Sequence, residues 1–329
     1  MGNRLILFLA ALILSSPASA NELQERESIK KTVSQLFITE QFEDLSKLSR
    51  KYLKTEERTS SGLWKLTLYN SAISGITDKN NRDEKYWSDM EAKTLRWIKS
   101  QPDSPSGHIA YATILMNHAW MYRGGGWSHE VREEDWEPFN AYVRKAKQHL
   151  IENKSIASND PRWYETMLSI ATAEGWSDED FETLINEATS KHPFFYQIYF
   201  MAIDYLTPKW HGNKEKIEEF ARKSVITTAP KDKFGMYARI YWYASQTNYG
   251  PALFTDSAVT WDSMNRSIDD VLAQYPDQWN INNFAYFACL AGDKDKTYAL
   301  IKQIQPTLID RAWGITSFYY QCKSWSSNE

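Results

Sequence analysis

The chain has 329 residues, long enough for one large core or a continuous repeat array, and 42% of them are hydrophobic. Its net charge is −4, from 38 basic and 42 acidic residues. These are interspersed, with no block of Lys and Arg to track phosphates, so nucleic acid is excluded as an expected partner.

Residues 1–20 predict a signal peptide. Arg4 supplies the positive start, Leu5 to Leu14 form a short apolar run, and Ala18-Ser19-Ala20 has the small-x-small cleavage pattern. The run is too short for a membrane anchor, no Cys follows the cut, and no later segment reaches 18 apolar residues. An exported mature chain without a membrane span is expected, folded as one helical domain over 21–329 with a C-terminal capping segment.

Beyond the leader, apolar residues recur at helical spacing throughout. Residues 22–56 predict two helices broken near Thr39-Glu40-Gln41, followed by a polar connection, TEERTSSG (55–62). GLWKLTLYNSAISGI (62–76) predicts the next helix and 76–85 a polar loop. A helix over 86–99 stops ahead of Pro102 and Pro105. Ser106 to Tyr122 follows and ends at Gly124-Gly125-Gly126. A loop to about Asp135 then leads into a partner helix from Trp136 to Glu152. That loop is longer than most helix–helix connections, and long loops are disproportionately functional.

Asp160 to Pro230 is the most regular stretch. Two blocks each pair an aromatic-rich helix with a second helix across a Gly-containing break, and Pro161, Pro193 and Pro230 punctuate them. Their intervals of 32 and 37 residues match helix–turn–helix repeats, whose members bury apolar faces by stacking on neighbours. Ser177-Asp178-Glu179-Asp180 approximates a capping box in the first block. Further helices are expected over 232–246, Trp261 to Leu272, and Asn280 to Ile304 with a turn at Gly292-Asp293. Pro276 and Pro306 act as stops, and the tail from Leu308 to Trp325 caps the array. Strand patterns are nearly absent. The predicted fold is all-α, an α-solenoid of antiparallel helix pairs.

The two cysteines, Cys289 and Cys322, stand 33 residues apart. In an exported chain they predict a disulfide, worth roughly 3–4 kcal/mol by loop closure. A catalytic thiol is the alternative, opposed by the apolar run around Cys289.

Several motifs together resemble an uncharacterised family of bacterial exported proteins with a tetratricopeptide-like helical fold. They are SGLWKL (61–66), AWMYRGGGW (119–127), PRWYETMLSIA (161–171) and DYLTPKWHG (204–212). MYARIYWYA (236–244), YPDQWNINNFAYFACLAGD (275–293) and Cys322 complete the set. The resemblance covers most of the mature chain and implies periplasmic or secreted localisation. It implies no mechanism, the family being a domain of unknown function. Trp163, Gly175 and Pro193 suit tetratricopeptide spacing, whereas the interval from Pro230 to Pro276 exceeds it.

For a ligand site the sequence points to the triple-glycine loop. His118, Arg123, Trp127, His129 and Trp136 cluster around it, and Trp210 and His211 form a second break. Arg would take an anionic group, Trp would stack, and His would move or share a proton. The plainer alternative pairs Arg123 with Glu130, Glu133 or Glu134 and packs the Trp residues between helices. None of the six histidines falls in a metal-ligand spacing. No nucleophile or phosphate-loop motif is present either, so no metal, cofactor or catalytic residue is assigned.

Two functions fit these features. The first is a non-enzymatic scaffold binding a protein, peptide or envelope component. The second is a helical-toroid polysaccharide hydrolase or lyase, for which Glu133, Glu134 and Asp135, or Asp269 and Asp270, offer the carboxylates.

Overall fold

The computed structural model describes residues 22–210, 212–305 and 308–327. The expected signal peptide, His211 and Pro306 lie outside the described residues. Everything regular among the described residues is helical, apart from one isolated antiparallel bridge between Arg58 and Trp64.

The first helices are α1 (Glu22–Ile38), α2 (Phe42–Thr55), α3 (Lys65–Ser74), α4 (Glu84–Ser100), α5 (Pro105–Arg123) and α6 (Glu133–Glu152). The short α7 (Lys154–Ala157) leads into α8 (Pro161–Glu174), α9 (Asp178–Lys191), α10 (Tyr196–Leu206), α11 (Lys214–Asp232) and α12 (Met236–Ala244). After α12 a π-helical turn, Ser245–Tyr249, and α13 (Leu253–Asp256) form the link to α14 (Trp261–Gln274) and α15 (Gln278–Leu290). The chain continues through α16 (Lys294–Ile301), α17 (Asp310–Trp313) and α18 (Thr316–Ser327).

Local chemistry sets most helix starts. Asp83, Asp160, Ser177, Asn213, Asp277 and Asp293 each accept a backbone N–H at an N-cap, and Pro105 and Pro161 begin their helices. Pro193 and Pro276 fall between helices as expected. Pro230 does not: it lies inside α11, two residues before its end. A proline that late costs the helix one hydrogen bond, and Ile226, whose carbonyl loses its partner, is 76% exposed, where water can replace it. The helix after the glycine loop also starts earlier than expected, at Glu133 rather than Trp136.

Helices α3, α5, α8, α10 and α12 touch one another in succession, and α4, α6, α9 and α11 pack alongside them. The inner members are buried on nearly all sides; α5 is covered from Ser106 through Ala119. One apolar core runs from Ile29 to Cys322.

The polar connection before α3 is not a surface loop. Thr59 and Ser61 are buried, and Glu22 of α1 accepts the Ser61 N–H at 2.9 Å. The Ser61 carbonyl accepts from Arg239 of α12 (3.0 Å) and Asn280 of α15 (3.1 Å), and Arg58 donates to the Phe194 carbonyl (3.1 Å). Residues 56–64 thus strap the start of the chain to its last third. At the far end, Cys289 and Cys322 are joined in a disulfide that ties α18 to α15. Among the described residues no helix is long and apolar enough to cross a membrane.

Candidate functional site

A polar cleft of about 580 Å³ opens between the end of α3, the turn that follows it, and the facing sides of α5 and α8. That volume lies in the range of small-molecule and peptide sites. Asn117 builds one wall: its amide donates to the Ser74 carbonyl and to Thr77 Oγ1, both at 2.9 Å, satisfying the frayed end of α3. Thr113 and Thr166 donate their hydroxyl protons to the carbonyls one turn back, Ile109 (2.9 Å) and Arg162 (3.0 Å). Thr77 does the same towards Ser74 (3.1 Å). These residues have spent their donors within the protein, and two of their oxygens are taken as well: Asn117 Oδ1 accepts from Ser74 Oγ and Thr77 Oγ1 from the Asn117 amide.

Glu165 of α8 lines the same cleft. Its Oε2 is shielded from solvent and has no hydrogen-bond donor. Burial pushes this carboxyl up to about 7, against the pull of an Asn70 hydrogen bond and the Arg162 charge. Lys79, exposed on the turn, also lines the cleft. Beneath the cleft Arg162 is fully committed, pairing with Asp160 and donating to Ser106 (3.0 Å) and Ser49. Close by, Asp204 is pushed up to about 6 by burial, while Tyr243 donates to its two oxygens at 2.9 and 3.1 Å.

Trp120 joins this cleft to the glycine loop. Its ring lines the cleft and also lies under the Arg123 guanidinium at 5.1 Å. Trp210 and Trp136 complete a three-sided aromatic cage, at 5.0 and 5.8 Å. Arg123 Nη1 donates to the Gly124 and Gly126 carbonyls, each at 3.1 Å, and so shapes the loop from inside. Lys209 reaches across to the Gly125 carbonyl (3.1 Å) and sits over Trp127, which is 57% exposed.

The structure therefore gathers Arg123, Trp127, Trp136 and Trp210 at one edge of the molecule. Arg123 does not pair with Glu130, Glu133 or Glu134 among the described residues. Glu130 caps the Trp127 N–H (2.6 Å), and Glu134 and Asp135 bind Arg132 at 3.1 and 2.8 Å. His118 is not part of this edge. It is 1% exposed on another face of α5, stacked on Trp87 at 4.6 Å and held between Glu84 and Glu91. His129 is exposed on the turn Ser128–Glu130.

The acidic pairs considered for glycoside chemistry are engaged elsewhere. Asp135 is buried against Arg132 and Arg82; Asp269 meets Lys296, and Asp270 accepts the Phe234 N–H. The unexpected members of the site are Glu165, Lys79, Asn70 and Asn117. Glu165 had a readable sign, an acidic residue inside the apolar run of PRWYETMLSIA; the other three look like ordinary helix-end and turn residues. Among the described residues no three His, Cys, Asp or Glu side chains are placed to hold a metal ion. No protein-family model, curated protein or solved structure matches the chain.

Proposed function

We propose that this chain is an exported helical-repeat binding protein, an α-solenoid of tetratricopeptide-like helix pairs that takes a peptide segment of a partner into the α3–α5–α8 cleft. The observation carrying this reading is the cleft itself. It has a ligand-sized volume, a lining of side-chain amides and hydroxyls, and an aromatic edge anchored by Arg123. A peptide offers the matching groups, amide N–H for the acceptors and apolar side chains for Trp120 and Met201. The apolar leader and the Cys289–Cys322 bridge support an oxidising, exported setting.

A second reading, a polysaccharide hydrolase or lyase, draws on one observation: a carboxyl near neutrality, Glu165, in a cleft lined by Trp120, with Asp204, outside that lining, also raised. One experiment separates the two. Peptides from digested envelope proteins are added to the protein and to Thr113→Trp, which fills the cleft, and hydrogen exchange is followed. The binding reading expects protection of residues 70–80 and 113–120 in the wild type and none in the variant. Absence of protection, together with turnover of a glycan panel, would transfer the assignment to the hydrolase.

A further inference from the structure

We propose that Glu165 receives a primary ammonium group, so that the cleft recognises the free amino terminus of a peptide. This rests on the reading of the cleft as a binding site and specifies which end of the ligand enters first.

The argument is one of donors and acceptors. Thr77, Thr113 and Thr166 have given their protons to helix carbonyls, and the Asn117 amide is used by Ser74 and Thr77. The hydroxyl oxygens of Thr113 and Thr166 are left as acceptors in the cleft, beside the hydroxyls of Ser71 and Ser169 and the amide of Asn80. Glu165 adds a carboxyl whose Oε2 has no donor. A buried oxygen left so costs free energy, which a ligand donor would recover. An ammonium has three donors and no acceptor, and it brings the counter-charge that a buried carboxylate lacks. Glu165 lines the cleft, and the terminal carboxyl torsion is broad in Glu, so a ligand donor there can be met by either oxygen after a rotation of that group.

The protein's own cations do not fill this role. Arg162 is spent on Asp160, Ser49 and Ser106. Lys79 shares the cleft but is exposed on the turn, and among the described residues it makes no ion pair with Glu165. Lys79 is instead available to the peptide's carbonyls or a following acidic side chain. Amide N–H groups behind the amino terminus would meet the threonine oxygens, which favours a peptide over a lone amine.

The test is calorimetry near pH 7 with a tripeptide-amide library bearing free amino termini, and with the same library N-acetylated. A chitosan trimer serves as a non-peptide amine. The wild type is expected to bind the free-amine library about tenfold or more tighter than the acetylated one. Binding should release protons, read from two buffers of different ionisation enthalpy. Glu165→Gln, whose fold is checked by circular dichroism, is expected to lose that preference and the proton release together. Equal binding of both libraries, or a preference that survives Glu165→Gln, overturns the ammonium assignment while leaving the cleft a peptide site. Glu165-dependent binding of the chitosan trimer alone overturns the choice of peptide. Binding of none of the three ligands removes both the inference and the reading beneath it.

Discussion

Glu165 carries a stability cost that depends on pH in a definite direction. Its folded value lies near 7, above the ordinary 4.5, because burial disfavours the carboxylate. Below about pH 4.5 folded and unfolded chains both hold the proton and the group is neutral to stability. As pH rises towards 7 the unfolded chain releases its proton first, so stability is lost through that window and stays lost above it. Glu165→Gln removes the titration. The variant is expected to match the wild type near pH 4 and to exceed it by about 2–3 kcal/mol near pH 8, as an upper range. Urea unfolding at both pH values checks this. A difference that does not change with pH would mean that the carboxyl titrates alike in the folded and unfolded chains, and one that changes in the opposite sense that it is ionised and paired in the folded protein. The residues around it show why the site was only half legible. Asn117 and His118 are neighbours in sequence, but one helical step turns them by about 100°, placing Asn117 on the cleft and His118 in an aromatic box with Trp87 and Tyr142. Composition around the glycine loop pointed to both histidine and arginine; only the rotation along α5 separates them.

Among the elements, the loop between α5 and α6 shows how three adjacent glycines differ. Gly124 has φ +67° and ψ −175°, a region that is essentially closed to other residues. A Cβ on Gly124 or Gly125 would meet nothing within 4 Å, and Gly125 has no positive φ. Gly124→Ala therefore acts through backbone strain alone, at about 1–3 kcal/mol, whereas Gly125→Ala is expected to change stability by less than about 0.5 kcal/mol. Thermal melts of the two variants check this, and equal shifts would refute the conformational argument. Gly124→Ala should also disturb the Arg123 cage, since Arg123 holds the Gly124 and Gly126 carbonyls. Capping residues, prolines and glycines made most element boundaries legible because they act over one turn of chain. The π-helical turn Ser245–Tyr249 and the proline within α11 were not, since each depends on what packs beside it.

At the scale of the molecule, the strap over residues 56–64 decides whether the first helices are an appendage or part of one cooperative unit. Its partners lie more than a hundred residues away in Phe194, Arg239 and Asn280, so no local pattern announced it, and TEERTSSG read as a plain connection. The tightest point is Gly62, at φ +92°, where a Cβ would lie 2.5 Å from Arg239 Nη2 and 2.8 Å from the Tyr275 ring. Gly62→Ala combines strain with displacement of the arginine that binds the Ser61 carbonyl, a cost of at least about 2 kcal/mol. If the strap couples the two ends, that loss is shared. Hydrogen exchange should then speed up in α1 and α3 and equally in α12 and α15, while α9, which lies outside these contacts, keeps its protection. Faster exchange confined to residues 56–64 would mean that the strap merely rests on the late helices. The distinction bears on the cleft as well, because α3 forms one of its walls and is held against α1. A strap that slackens would let α3 move away from α5, so Gly62→Ala should weaken ligand binding at a cleft whose own residues are all intact.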